Sequence, residues 1–244
     1  MRKNISFRGV LLCSLIALTG SAFAQTETQP NAKPAQYFFV LLNNPANAPQ
    51  ISKEVDETLE EAQTAYFNTM IAEHKLLIAG PLMDDTRLRG VWVFQAESAA
   101  QVQEWANSAP AIKAGRFAPD VHGPWFIEGS AIHAPEPRGM EQYTLVLMNR
   151  GDNWNPNAPE FMEVVKRHHA LLEKMTEQGS LAIAGPFSPD EQGELRGVEI
   201  FRVGIEETAR LLQEDPTVKA GLLKPEIHPW GACKGALAPG RPLQ

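Results

Sequence analysis

Two stretches of the chain are apolar without a break: Tyr37-Phe38-Phe39-Val40-Leu41-Leu42 and Leu145-Val146-Leu147-Met148. A strand with one wet face alternates apolar and polar residues, so an unbroken run predicts a strand covered on both faces. After each run the period lengthens to that of a helix. Leu59, Ala62, Tyr66, Phe67 and Met70 form one stripe, and Phe161, Val164, Val165, Leu171, Leu172 and Met175 another. The spacing predicts helices over about 52–74 and 159–178, the second with Pro159 near its first turn and Gly179 at its end. Each helix leads into a short strand ending in Ala-Gly-Pro, a polar loop, and a strand from Gly90 or Gly197. A second helix follows, over about 98–107 or 205–214, and then a last strand that reaches Pro-Trp.

The halves are copies of one unit. Leu76-Leu77-Ile78-Ala79-Gly80-Pro81 and Leu88-Arg89-Gly90-Val91 answer to Leu181-Ala182-Ile183-Ala184-Gly185-Pro186 and Leu195-Arg196-Gly197-Val198. Gln36-Tyr37 answers to Gln142-Tyr143, Pro110 with Lys113-Ala114-Gly115 to Pro216 with Lys219-Ala220-Gly221, and His122 with Pro124-Trp125 to His228 with Pro229-Trp230. So many ordered matches at a nearly constant offset mean a tandem duplication. Each copy has the order β-α-β-β-α-β, the ferredoxin-like arrangement of an α+β protein. Its helices cover one face of its sheet, and the unbroken apolar strands require cover on the other. The expectation is two βαββαβ repeats packed sheet to sheet as a pseudo-dimer within one chain; pairing of each copy with another molecule is the alternative.

The N-terminus changes the picture. Arg2, Lys3 and Arg8 precede an apolar run from Val10 to Leu18, and Ala22-Phe23-Ala24 follows. This is the pattern of a cleaved secretory signal, and the run is too short to span a bilayer. Cleavage after Ala24 moves the net charge from −7 to −10 and leaves Cys233 as the one cysteine, so no internal disulfide is available. The expected organisation is a signal at 1–24, a disordered leader at 25–35, copy one at 36–128, a linker at 129–140, copy two at 141–236 and a tail at 237–244, in the periplasm or secreted. So acidic a chain has no net attraction to nucleic acid or to an anionic membrane surface.

The copies differ where chemistry could reside. His168 falls in the middle of the apolar stripe of its helix, and Gln63 holds the matching place in copy one. A polar group on such a face is costly unless it is hydrogen-bonded or lines a cavity. A histidine there is more often a satisfied core residue than a catalyst. The Ala-Gly-Pro after the second strand, the helix before it and Asp215-Pro216-Thr217-Val218-Lys219-Ala220-Gly221 resemble the YCII-related (YciI-like) domain. The resemblance runs once through each copy. It implies the dimeric α/β barrel form of the ferredoxin-like fold and a kinship with small-molecule lyases and isomerases, dehydrochlorinases of ring-cleavage pathways among them. It also implies that the helix histidine pairs with an aspartate just before a proline. Copy two has both, as His168 and Asp215; copy one has Gln63 and Ala109. An imidazole handles protons near neutral pH and a carboxylate orients it, whereas glutamine and alanine do neither.

The expectation is therefore one active pocket in copy two, roofed by copy one, with His168 as general base and acid, Asp215 as its orienter, and a small-molecule ligand. His169 is the second-ranked histidine. Arg196 is a candidate anchor for a substrate carboxylate, and Ser188 in the variable loop a candidate hydroxyl. His122 and His228 occur in both copies and read as structural, with Trp125 and Trp230 anchoring the barrel end. No metal-binding spacing, phosphate loop or dinucleotide fingerprint stands in the chain, so neither metal nor cofactor is expected. The expected particle is a monomer as pseudo-dimer, or a homodimer, without nucleic acid and without membrane attachment after signal cleavage. A ligand-binding or accessory protein without turnover is the competing reading.

Overall fold

The computed structural model describes residues 36–50, 52–127, 132, 139–188 and 193–237. The signal and leader lie outside the described residues, as does the linker apart from Ile132, Gly139 and Met140. Copy one runs β1 (Gln36–Asn43), α1 (Lys53–Ala72), β2 (Leu76–Pro81), β3 (Leu88–Ala96), α2 (Ala99–Ser108), α3 (Pro110–Lys113) and β4 (Ala118–Trp125). Copy two repeats this as β5 (Met140–Arg150), α4 (Phe161–Glu177), β6 (Leu181–Pro186), β7 (Leu195–Phe201), α5 (Ile205–Gln213), α6 (Pro216–Lys219) and β8 (Leu223–Cys233).

The helix ends follow local chemistry. Ser52 and Ser98 each accept a hydrogen bond from the backbone N–H three residues on, which starts α1 and α2. Gly179 takes a left-handed φ of 77° after α4. At the equivalent place after α1, His74 adopts φ 56° without a glycine's freedom. The short helices α3 and α6 go beyond the sequence expectation. In each, a proline at the first position stops the preceding helix and starts a new turn.

Each copy forms an antiparallel four-stranded sheet, ordered β2-β3-β1-β4 and β6-β7-β5-β8. The registers correspond: Val40 lies opposite Trp92, and Val146 opposite Glu199. The unbroken apolar strands are explained by their two faces. Phe39 and Leu41 from one sheet meet Leu145, Leu147, Val198 and Ile200 from the other in a core between the sheets. Phe38, Val40 and Leu42 pack outward with α1 and α2 residues, and Val146 and Met148 with residues of α4 and α5. The sheets therefore pack face to face within one chain, with helices on the outside.

Their edges also meet. Trp125 bridges to Phe187, and Leu82 to Trp230. The Trp125 indole donates to the Gly185 carbonyl at 2.7 Å, and the Trp230 indole to that of Gly80 at 3.2 Å. A Cβ on Gly80 would lie 1.7 Å from the Gly231 carbonyl oxygen, and one on Gly185 2.0 Å from that of Phe126. The Ala-Gly-Pro and Pro-Trp motifs are thus one reciprocal clasp. Each copy supplies a glycine with no side chain, so that the other's backbone can come close and its tryptophan can dock. Among the described residues, no helix is long and apolar enough to cross a membrane.

Candidate functional site

The outward face of the second sheet carries an exception to its own pattern. Glu199 stands in the middle of β7 between Val198 and Ile200, pointing toward the helices, and is 2% exposed. Above it runs α4, whose apolar stripe contains His168. Between α5 and α6 the backbone of Asp215 is extended (φ −66°, ψ 125°), as expected for a residue before proline. That turn buries Asp215 completely. One of its oxygens, Oδ1, accepts the Thr217 backbone N–H at 2.7 Å and the Thr217 hydroxyl at 2.6 Å, capping α6. The other, Oδ2, lies 2.7 Å from His168 Nδ1. The carboxylate is gripped from both sides and has little freedom to turn.

This geometry sets the tautomer. A proton on Nδ1 donates to Asp215, which leaves Nε2 as the basic nitrogen. Glu199 Oε1 lies 4.0 Å from Nε2, and Glu199 Oε2 is buried with no hydrogen-bond partner among the described residues. Burial without a donor makes the charged form expensive, and the nearby Asp215 charge adds to this. Although His168 opposes them, Glu199 is pushed up to about 7. For His168, burial acts to lower the pKa, but the Asp215 hydrogen bond and the charges of Glu199 and Asp215 outweigh it and leave it raised. Asp215 is held below the usual carboxylate range: burial would raise it, but His168 and the Thr217 donors prevail. The His168 side chain is 12% exposed, so it is the member of the group that reaches the surface. His169 is exposed, its ring 5.6 Å from that of His168.

Ligand atoms of His168, Glu199 and Asp215 lie within 4.8 Å of one another, a set of one nitrogen and two oxygen donors. Nδ1 and Asp215 Oδ2 are at hydrogen-bond distance, with a proton between them. That leaves Nε2 and Glu199 as the donors free to face a cation, fewer than metal sites usually supply.

Copy one shows what becomes of the arrangement without its charges. Trp92 stands at the register of Glu199, in edge contact with Phe67, and Ala109 replaces Asp215. Gln63, at the place of His168, turns its Oε1 to the Ala111 backbone N–H at 3.0 Å. Ala111 matches Thr217, so Gln63 performs the capping that Asp215 performs in copy two. All three chemical positions are converted together.

The structure brings His168 and Asp215 together and sets the other candidates elsewhere. Ser188 stands on the seam between the copies, its N–H donating to the Pro124 carbonyl at 3.0 Å. The Arg196 guanidinium lies over the Trp154 ring, 5.3 Å from its centroid. Buried His228 lies 2.7 Å from Asp84 of copy one, so it fastens a loop across the seam. Copy one does not roof the site: it covers the opposite face of the second sheet, and α4 with the α5–α6 turn encloses the three groups. The sequence reading missed Glu199. Its signal was a carboxylate in Val198-Glu199-Ile200 where the twin has Val91-Trp92-Val93.

Two ferredoxin-like sheets packed face to face and clasped at their edges give this chain the dimeric α+β barrel fold, with both halves of the barrel in one chain. Residues 37–120 match the YCII-related domain. The match covers most of copy one, and copy two repeats its fold and motifs. No curated protein matches the chain in sequence. Among solved structures, a haem-binding protein from Thermus thermophilus superposes with a TM-score of 0.53 at 12% identity, over 82% of this chain and 91% of that one. A chlorite dismutase variant from Candidatus Nitrospira defluvii gives 0.54 at 7% identity, over 81% and 92%. A putative monooxygenase from Fusobacterium nucleatum gives 0.51 at 11% identity, over 86% and 98%. At these identities the likeness is one of fold.

Proposed function

We propose that the protein is a small-molecule lyase or isomerase whose proton chemistry belongs to copy two. His168 Nε2 takes a proton from a C–H bond made acidic by a neighbouring carbonyl or carboxylate. The electron pair of that bond forms a new double bond and expels a leaving group on the adjacent carbon, or moves along a conjugated system. The imidazolium then returns the proton to the leaving group or to a different carbon, so the protein ends as it began. Asp215 holds the Nδ1 proton throughout and stabilises the charged ring. Glu199, which burial holds back from ionising by itself, stabilises the charged ring further when it does ionise. One observation carries this reading: the 2.7 Å His168–Asp215 pair faces a buried Glu199 whose Oε2 has no hydrogen-bond partner among the described residues, and all three are replaced in the twin copy.

Haem chemistry, which the structural neighbours bring to mind, does not fit these residues. His168 Nδ1 is taken by Asp215, Nε2 meets Glu199 at 4.0 Å, and the adjoining sheet face is filled by Val146, Met148, Met175 and Phe201. The 1–24 pattern supports export, and a mature N-terminus at Gln25 on the isolated protein checks it.

The test is incubation of wild type and His168→Ala with a metabolite extract, scored by mass spectrometry. The expected result is a compound consumed by wild type and spared by the variant, with a loss of about 10²–10⁴-fold for removal of a general base. Asp215→Asn is expected to lower turnover as well. A compound consumed equally by wild type and His168→Ala refutes the assignment, and so does an extract that wild type leaves unchanged, which favours binding without turnover.

A further inference from the structure

A fourth position separates the two copies at this site. Thr217, the second residue of α6, is 2% exposed, and Ala111 holds its place in copy one. The short helix needs only an acceptor for the backbone N–H there. In copy one Gln63 takes the Ala111 N–H at 3.0 Å, and α3 forms without a hydroxyl. In copy two Asp215 Oδ1 takes the Thr217 N–H at 2.7 Å, so the cap is complete before the hydroxyl is counted. The hydroxyl lies 2.6 Å from the same oxygen, the length of a charge-assisted bond. An ionised carboxylate has no proton to give, so the hydroxyl is the donor.

Oδ1 therefore receives two donors, and Oδ2 faces His168 Nδ1 at 2.7 Å. The donors on Oδ1 do two things. They hold the carboxylate in the one orientation that turns Oδ2 to the ring. They also draw negative charge toward Oδ1, so that Oδ2 pulls less strongly on the ring proton. The second effect matters because of the ring's other neighbours. Asp215, from the turn between α5 and α6, and Glu199, from β7, are the charged groups that bear on His168. Its own helix adds the His169 ring at 5.6 Å. Val146, Met148, Leu181 and Ile227 supply apolar cover from β5, β6 and β8. Glu214 and Lys219, on either side of Asp215, pair with each other at the surface at 2.6 Å. Two carboxylates favour the charged ring, whereas a base must be neutral to accept a proton.

We propose that the Thr217 hydroxyl is a positioning group for His168, acting through Asp215: it fixes Oδ2 on Nδ1 and limits the negative charge the ring feels, so that more of the ring stays neutral. That the neutral ring then serves as a base rests on the function proposed above; the positioning itself does not.

The experiment is ¹⁵N NMR of the histidine rings at about pH 7, which reads the ratio of charged to neutral His168, its signal assigned by loss in His168→Ala. Thr217→Ala copies the twin, whose turn folds with alanine, and Thr217→Val keeps the shape without the hydroxyl. Each is expected to raise the ratio by about threefold or more, whereas Thr217→Ser stays within about twofold of wild type. An unchanged or lowered ratio in the alanine and valine variants overturns the proposal, as does a serine variant that behaves like alanine. On a compound that wild type consumes, Thr217→Ala is expected to lose turnover several-fold at about pH 7 and to regain it at about pH 9. An equal loss at both pH values overturns the proposal. A raised ratio in a protein without turnover keeps the role of Thr217 and removes the enzymatic assignment alone.

Discussion

Glu199→Gln isolates the cost of the buried carboxylate. In the unfolded chain this group ionises near 4.5, whereas in the fold it holds its proton to about 7. Between those values the native state binds more protons than the unfolded state, so wild-type stability falls as pH rises through the interval. Integrated over the whole interval, the difference corresponds to about 3 kcal/mol, of which about 2.5 kcal/mol falls between roughly pH 5 and pH 8. Glutamine is neutral throughout and escapes this loss. Whatever the amide costs by being buried is the same at both pH values and cancels in the comparison. His168 acts in the same direction. Its pKa is raised in the fold, so its stabilising contribution is present at low pH and lost as pH rises; removing the Glu199 charge makes that loss smaller. Urea denaturation of wild type and variant at about pH 5 and about pH 8 measures the effect. The variant is expected to gain about 2.5 kcal/mol on wild type between the two. A stability difference that is the same at both pH values refutes the reasoning, because Glu199 would then ionise in the fold as it does in water.

Two further predictions concern the twin copy and the seam. Gln63→Ala is expected to destabilise the protein by about 1 kcal/mol in urea denaturation, because the Ala111 N–H loses its acceptor as at any helix cap; a neutral result would show that water replaces Gln63 without loss. Gly185→Ala drives a methyl into the Phe126 carbonyl and the Trp125 indole nitrogen, so the seam must open. A loss of about 3 kcal/mol or more is expected, read as a fall in thermal midpoint; a loss under about 1 kcal/mol would mean the clasp yields easily.

The architecture was legible because it is written in periodicity and repetition. An unbroken apolar strand admits one reading, cover on both faces, and a second copy in the same chain supplies that cover. Ser52, Ser98 and Gly179 announce helix ends through local chemistry that tertiary context leaves intact. The site was half legible. His168 stands out as a polar residue on an apolar stripe, and the resemblance supplied Asp215. Glu199 was masked by its strand: one charged residue in an otherwise apolar segment does not alter the pattern, and its facing His168 depends on a cross-strand register fixed only in three dimensions. For the same reason no reading of sequence alone could tell that copy one covers the other face. A continuous apolar run says that both sides are buried, not which partner lies on which side.

That assignment of faces explains how the copies could diverge so far in chemistry while remaining alike in shape. The glycine–tryptophan clasps and the shared core all lie on the inner faces and the edges, and both copies need them, because each clasp takes one half from each copy. His168, Asp215 and Glu199 all lie on an outer face, beneath the helices of one copy alone. Losing them in copy one therefore costs the barrel nothing, provided the α3 turn is still capped and the space under α1 is still filled. Gln63 meets the first condition and Trp92 the second. An arrangement with these three groups between the sheets would have tied the two copies together, and a loss in either would have been felt in both.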